Sequence, residues 1–196
     1  MKFTQRLPVL SSLYTPREPV LNKEIIYCKH FALHHLVLRP LSITTDLPFI
    51  YQWAWPMCHA QGMIAASYLY TRESNFARSF MALRNNITPV GQIDICGAAQ
   101  DEIDEDYKTM PGDYILRIII NPHEKRGGAL YQELLRLCIE YFFLLPEVKR
   151  LLIETDIEDV FYSKIVKKTG FTFDRAICLN YKMVNLYYCT RESFTS

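Results

Sequence analysis

Residues 112–142 read GDYILRIIINPHEKRGGALYQELLRLCIEYF. The β-branched run Ile118, Ile119 and Ile120 predicts a strand that is covered on both faces. From residue 130 onward apolar residues recur at helical spacing between polar ones, which predicts an amphipathic helix. Gly127 and Gly128 lie where strand passes into helix, and glycine lets a ligand approach the backbone closely. An anion could dock on the free amides that open this helix, and an ordinary βα connection is the alternative.

The composition indicates a well-packed globular chain. Its 196 residues carry 22 Lys+Arg and 21 Asp+Glu, a formal net charge of +1, and 49% are hydrophobic. No strong field is expected to attract nucleic acid or an anionic membrane. The start lacks a secretory apolar segment, and no run approaches the roughly 18 apolar residues of a membrane span. The scattered cysteines show no metal-binding spacing, so we expect a soluble cytoplasmic protein with reduced thiols and no metal.

Before the central stretch, the pattern predicts an arm followed by strands. Residues 1–32 read as a loosely structured arm with prolines near its start, and residues 33–196 as one domain. A strand is predicted over residues 33–38, a helix from Thr45 or Asp46 to about Trp53, and one or two short helices within residues 60–82. Asn85 and Asn86 predict a turn between the two strands of a hairpin, residues 80–83 and 90–96.

After the central stretch, the pattern alternates between strand and helix. The long helix is predicted to stop at Pro146, followed by a strand at residues 151–153 and a helix at residues 158–169 that ends at Gly170. Two closing strands are predicted at residues 171–179 and 181–188. The fold class is therefore α/β (α+β), with a mixed, largely antiparallel sheet and helices on both faces.

This order of elements resembles the GNAT acyl-CoA-dependent N-acyltransferases. Within them it is most similar to the siderophore-biosynthesis branch that acylates lysine-type side chains, near the aminoglycoside 6′-N-acetyltransferases. The resemblance covers about residues 34–194 and rests on the order of short pieces: Leu38-Arg39-Pro40, Asp46, Trp53, Pro89-Val90-Gly91, Asp94, Gly112-Asp113, Arg126-Gly127-Gly128-Ala129, Tyr141-Phe142-Phe143, Pro146, Glu154-Thr155-Asp156, Gly170-Phe171, Lys182, Leu186, Arg191 and Phe194.

The resemblance implies an acyl-CoA site between two splayed central strands. The backbone of residues 116–120, with Ile118, Ile119 and Ile120, would pair with the pantetheine arm, and residues 151–154 would form the other wall. The diphosphate would lie on the amides of Lys125, Arg126, Gly127, Gly128 and Ala129. Glu124 departs from the family, which usually has Gln or Arg there. Acyl-CoA is then a co-substrate, and no metal is implied.

Catalysis must remove a proton from the acceptor. An alkyl ammonium of pKa about 10.4 costs about 4–5 kcal/mol to deprotonate at pH 7. The family histidine falls on Arg117, which cannot act as a base but could hold a carboxylate or lower the pKa of a neighbour. Asp156 retains the family aspartate and could take the proton through water, or it could instead cap the following helix. Val166 occupies the place of the usual GNAT tyrosine.

Four further residues are candidates for the acceptor site. Asp94 would contact a cationic substrate, or it is a solvated strand residue. Trp53 would line the cleft, or it is a core aromatic. His59 would border the acceptor, and Asp113 of the Gly-Asp pair is the fourth candidate.

The resemblance therefore implies transfer of an acyl group to an amine or N-hydroxylamine of lysine, ornithine or diamine type in siderophore assembly. An N-hydroxylated amine is already neutral at pH 7, which would tolerate Arg117. One alternative is acetylation of an aminoglycoside or polyamine, with Asp94 and residues 101–106 binding the cations. Another is a degenerate fold that binds CoA or a partner without catalysis. A monomer or homodimer is expected.

Overall fold

The computed structural model describes residues 25–54, 77–100, 107–124, 128–179 and 182–195. Within these ranges eight strands form one sheet: β1 (Tyr27–His30), β2 (His35–Pro40), β3 (Ala77–Arg84), β4 (Thr88–Gly97), β5 (Asp113–Ile120), β6 (Arg150–Asp156), β7 (Thr172–Leu179) and β8 (Lys182–Thr190). The helices are α1 (Ile43–Ala54), α2 (Ala129–Phe142), α3 (Val160–Lys168) and α4 (Arg191–Thr195). Short 3-10 turns cover Ala98–Gln100 and Pro122–Glu124.

The sheet is antiparallel except at its centre. Its order is β1-β2-β3-β4-β5-β6-β8-β7, and β5 and β6 are the parallel pair. Their register joins Asp113 to Arg150, Tyr114 to Leu151 and Ile115 to Leu152. Both strands continue beyond these pairs, so residues 116–120 of β5 separate from residues 153–156 of β6. We call this V-shaped opening the cleft. It confirms the predicted mixed sheet with splayed central strands.

The two faces of the sheet pack against different helices because side chains alternate along each strand. On the face covered by α2 and α3, Leu116, Leu151 and Ile153 join the largest apolar cluster of buried side chains. On the face covered by α1, Trp53 packs in a smaller cluster with Met81 and, at its edge, Ile119. The cleft therefore has an apolar α2 side and a second side, next to α1, on which its polar residues lie.

Helix α1 is fixed to the sheet by a buried ion pair. The Arg39 guanidinium donates to both carboxylate oxygens of Asp46, with Nη1–Oδ2 2.6 Å and Nη2–Oδ1 2.5 Å. Asp46 also accepts a hydrogen bond from the Ser42 amide just before the helix, at 2.8 Å. Such bidentate pairs hold their geometry well, which orients α1 over the sheet.

Several element boundaries differ from those predicted. Strand β1 lies inside the range predicted for the arm, because Tyr27 and Lys29 both reach Glu140 of α2 and hold this short edge strand in place. Residues 77–82 are strand, not helix, and residues 60–76 lie outside the described ranges. Helix α2 ends at Phe142, before the predicted stop at Pro146. A bulge between β3 and β4 moves Val90 to the α2 face, whereas the alternation predicts it beside Asp94.

The described ranges contain no helix that is both long and apolar enough to cross a membrane. The five cysteines within those ranges have free thiols. The described side chains do not bring together three metal-ligating groups.

Candidate functional site

A row of polar side chains crosses four strands on the α1 face of the sheet. Ser79 of β3 is opposite Asp94 of β4, and Asp94 is opposite Arg117 of β5. Arg117 and Glu154 each lie two residues beyond the last β5–β6 pair, Ile115 and Leu152, so both project from the start of the cleft. The row Ser79–Asp94–Arg117–Glu154 therefore lines the α1 side of the cleft where the strands begin to separate.

Arg117 and Glu154 form an ion pair across this opening. Arg117 Nη2 lies 3.2 Å from Glu154 Oε1, and the two side chains are 21% and 16% exposed. The sequence predicts Glu154 as part of a matching motif and of the cleft wall at residues 151–154, not as an acceptor-site residue. Its position in the strand could have indicated a site residue, because the two-residue period of β6 puts Glu154 on the same face as the candidate Asp156.

Asp94 is a buried carboxylate held by neutral donors. The residue is 5% exposed. It accepts a hydrogen bond from Ser79 Oγ at 2.5 Å and from Gln92 Nε2 at 3.0 and 2.9 Å. Burial raises the pKa of Asp94 from 3.8 to about 6, although the hydrogen bonds from Ser79 and Gln92 and the nearby Arg117 charge act in the opposite direction. Such a carboxyl is mostly ionised at pH 7 and can accept a proton.

Gln92 leaves one strong acceptor unused beside Asp94. Its side chain is fully buried and donates through Nε2 to Asp94, yet Oε1 has no hydrogen-bond partner among the described residues. A buried carbonyl without a donor is uncommon and costs about 1–3 kcal/mol. The alternation along β4 already places Gln92 and Asp94 on one face, but the unpaired oxygen is visible only in the structure.

Asp156 lies farther out on the same strand and face as Glu154. Its Oδ2 is 2.5 Å from Lys182 Nζ, and its Oδ1 accepts from the Glu158 amide at 3.1 Å. The hydrogen bond from Lys182, followed by the one from the Glu158 amide, lowers the pKa of Asp156. Asp159 caps α3 by accepting from the Tyr162 amide at 2.9 Å. Asp156 is therefore an ionised carboxylate at the mouth of the cleft and a weaker base than Asp94.

The other acceptor-site candidates are not part of the row. Asp113 accepts two hydrogen bonds from Arg150, at 2.9 Å from Nε and 2.6 Å from Nη2, at the closed end of the β5–β6 pair. Trp53 is 2% exposed within the apolar cluster under α1. His59 lies outside the described residues. The fold uses Asp113 for an ion pair and Trp53 for packing, and their contact with substrate stays a prediction.

The N-terminus of α2 begins at the open end of β5. Gly128 precedes the helix at φ 66°, and the helix has no side-chain cap there. A Cβ on Gly128 would lie 2.5 Å from Ile165 Cδ1 and 2.7 Å from Phe161 Cζ, so both the backbone and the available space require glycine. The amides that follow, beginning with Ala129, are the free donors of a helix N-terminus. Lys125, Arg126 and Gly127 lie outside the described residues.

Glu124 lies before this turn, where the resembled family usually has Gln or Arg. Its negative charge is neutralised by an arginine of strand β3. Arg84 of β3 donates to both its oxygens, with Nη1–Oε1 3.1 Å and Nη2–Oε2 2.9 Å. This pairing reduces the repulsion that a free carboxylate would exert on an anion at the helix N-terminus.

Comparison with known proteins identifies the architecture. The profile of the family described as Acetyltransferase (GNAT) domain matches residues 43–179, more than half of the chain. Among curated protein sequences none matches. An uncharacterised protein from Bacillus halodurans has a similar crystal structure, with a TM-score of 0.74, 17% identity, and coverage of 86% of this chain and 92% of that one.

Two solved acetyltransferases are also similar in structure. Aminoglycoside acetyltransferase AAC(6')-Ib in complex with coenzyme A has a TM-score of 0.70 and 18% identity, covering 82% of this chain and 97% of that chain. A chimera of spermidine N-acetyltransferase SpeG from Vibrio cholerae and hSSAT has a TM-score of 0.63 and 18% identity, with coverage of 82% and 98%. At these identities the similarity shows the fold.

Proposed function

The chain belongs to the GNAT acetyltransferase family, and we propose that it transfers an acyl group from acyl-CoA to a primary amine of a polycationic acceptor such as an aminoglycoside or a polyamine. The observation that carries the proposal is the cleft, whose open end lies next to the uncapped N-terminus of α2 and whose base holds two carboxylates. The N-terminus of α2 offers hydrogen-bond donors for the diphosphate of acyl-CoA, and the carboxylates offer acceptors for a cationic amine.

The acyl-CoA half of the proposal rests on β5 and α2. Beyond Ile115 the register of the described residues pairs β5 with β4 and not with β6, so this edge of β5 can take an extended amide-bearing arm as its next strand-like partner. In our proposal residues 116–120, with Ile118, Ile119 and Ile120, bind that arm. Gly128 and Ala129, with Lys125, Arg126 and Gly127, bind the diphosphate. Acyl-CoA supplies the activated thioester.

The acceptor half rests on the excess of carboxylates along the cleft. Glu154 and Asp94 lie at its base and Asp156 at its mouth, each with oxygens directed to the α1 side. A cationic acceptor gains favourable electrostatic energy there, most at the less solvated carboxylates. The similar aminoglycoside and spermidine acetyltransferase structures support this acceptor class over the siderophore assignment.

Proton transfer is assigned to Asp94. The ammonium must lose one proton to the base before its nitrogen attacks the thioester carbonyl. As the amide forms and the C–S bond breaks, the second proton passes from the nitrogen to the CoA sulfur, and CoA leaves as the thiol. A carboxyl with pKa of about 6 matches the operating pH better than Asp156, whose pKa is lowered. Arg117 stays charged, and its role in the proposal is electrostatic.

Siderophore assembly remains a second candidate for one reason. Arg117 stands where the resembled branch has a histidine base, and an N-hydroxylated amine that is neutral at pH 7 has less need of one. Hydroxylysine, hydroxyornithine and N-hydroxycadaverine are its test substrates. For either acceptor class we propose a cytoplasmic enzyme, where acyl-CoA is available and thiols remain reduced.

Two measurements test the function. Isothermal titration with acetyl-CoA, succinyl-CoA and longer acyl-CoAs should show binding, and the absence of heat with all of them would refute the acyl-CoA half. A turnover assay over kanamycin-like aminoglycosides, spermidine, cadaverine and the N-hydroxylated amines then compares acceptors. Turnover restricted to the N-hydroxylated amines would reject the polycation assignment and support siderophore assembly.

A further inference from the structure

The charges in the row Ser79–Asp94–Arg117–Glu154 do not balance. Asp94 lies opposite Arg117 in the register and Glu154 forms an ion pair with it, so the charged groups of the row itself sum to −1 when Asp94 is ionised. Ser79 and Gln92 contribute neutral hydrogen bonds to Asp94 and no compensating charge. An ammonium group that enters the row therefore meets an excess of negative charge even while Arg117 stays nearby.

We propose that Glu154 is the docking carboxylate for the ammonium group of the acceptor, and that Arg117 occupies this place when the acceptor is absent. Arg117 is then an internal competitor that the acceptor displaces from Glu154. This inference rests on the proposed function and specifies one carboxylate of its acceptor site.

Geometry favours exchange at Glu154 over direct entry at Asp94. Glu154 is the more exposed of the two carboxylates and lies on the wall of the opening, whereas Asp94 is enclosed between neighbouring strands. The Arg117–Glu154 contact is 3.2 Å and partly solvated, so replacing it with an ammonium–carboxylate contact keeps the number of ion pairs unchanged.

The same position leaves the ammonium beside two further acceptors. Asp94 is opposite Arg117 in the register, so a cation that takes the place of the guanidinium lies between Glu154 and Asp94. Gln92 Oε1, which has no hydrogen-bond partner among the described residues, is on the same face of β4 and can accept an N–H. A primary ammonium has three donors, which matches three acceptors from Glu154, Asp94 and Gln92.

The experiment is isothermal titration of the CoA-bound protein with spermidine and kanamycin. Arg117→Met removes the competitor, so the amine should bind about fivefold to tenfold tighter, the worth of a partly exposed ion pair. Glu154→Gln should weaken amine binding about tenfold or more while acyl-CoA affinity stays unchanged. Glu158→Gln, which removes an exposed carboxylate four residues along the chain, is the matched control and should leave both affinities unchanged.

Tighter amine binding by Arg117→Met together with lower kcat would support the exchange, because an ion pair that only stabilises the protein would give weaker or unchanged binding when broken. Weaker or unchanged binding overturns it. The double variant Arg117→Met/Glu154→Gln should bind amine as weakly as Glu154→Gln alone, and urea midpoints identify variants that fail to fold. Acyl-CoA titration of the unmodified protein distinguishes failure of this inference from failure of the proposed function. If the proposed function is wrong, the unmodified protein does not bind acyl-CoA; if only the exchange at Glu154 is wrong, it does.

Discussion

Replacing Asp94 with asparagine should stabilise the protein at neutral pH while abolishing most of its activity. The buried Asp94 carboxylate is harder to ionise than a solvated one, and its pKa of about 6 compares with 3.8 for an exposed carboxyl. Because this pKa is raised in the folded state, its stabilising contribution is complete below pH 3.8 and is lost as pH rises through about 6. At pH 7 the unmodified protein bears the full cost of the charge.

The size of the expected stability gain follows from the difference between the folded and unfolded pKa values of Asp94. A rise of the Asp94 pKa from 3.8 to about 6 corresponds to about 3 kcal/mol of unfolding free energy at pH 7, and to less than about 1 kcal/mol at pH 4. Asparagine has the same shape and no charge. Its amide NH₂ would donate to Gln92 Oε1 once the Gln92 amide turns, which replaces the hydrogen bond from Gln92 Nε2, while Ser79 still donates to the asparagine oxygen.

Urea unfolding of both proteins at several pH values between 4 and 8 tests this reasoning. The expected stability gain of Asp94→Asn is small at pH 4 and grows to about 2–3 kcal/mol at pH 7, with kcat/KM reduced about a hundredfold or more. Ser79→Ala, which removes one donor but no charge, is the control and should destabilise at both ends of the range. A gain that does not change with pH would show that ionisation of Asp94 is not its source.

The remaining predictions concern the ends of the cleft. Gly128→Ala should cost about 1–3 kcal/mol of unfolding free energy and weaken acyl-CoA binding in titration, because its φ and its neighbours exclude a Cβ. Arg84→Ala should lower acyl-CoA affinity by exposing the charge of Glu124, and adding Glu124→Gln should restore it. Asp113→Ala should destabilise by about 3–5 kcal/mol by leaving the Arg150 guanidinium without its carboxylate, with KM for the amine unchanged; a higher KM would support the predicted substrate contact instead.

The fold was predictable wherever local pattern agrees with tertiary packing. The run Ile118–Ile120 and the amphipathic helix after it gave β5 and α2, and the Asn85-Asn86 turn gave the β3–β4 hairpin. Strand β1 was missed because four residues of mixed polarity have no periodic signal. Its position depends on Tyr27 and Lys29 meeting Glu140, more than a hundred residues away.

The candidate site was predictable residue by residue but not as an arrangement. Arg117 and Asp94 were both selected from the sequence, yet their adjacency depends on the β4–β5 register. Glu154 became a candidate only when the separation of β5 from β6 put it opposite Arg117. Asp113 looked equivalent to Asp94 in the sequence, and its pairing with Arg150 distinguishes them.

Arginine in place of histidine changes which residue can accept the proton. A histidine at position 117 would face Asp94 and Glu154, and these carboxylates would favour its charged form. Arg117 makes that positive charge permanent, which removes one base from the cleft. The hydrogen bond from Lys182 lowers the pKa of Asp156, which makes Asp156 a weak base. Burial raises the pKa of Asp94, so Asp94 is the base whose pKa is better matched to neutral pH. The burial that destabilises the fold at pH 7 is thus what suits Asp94 to catalysis.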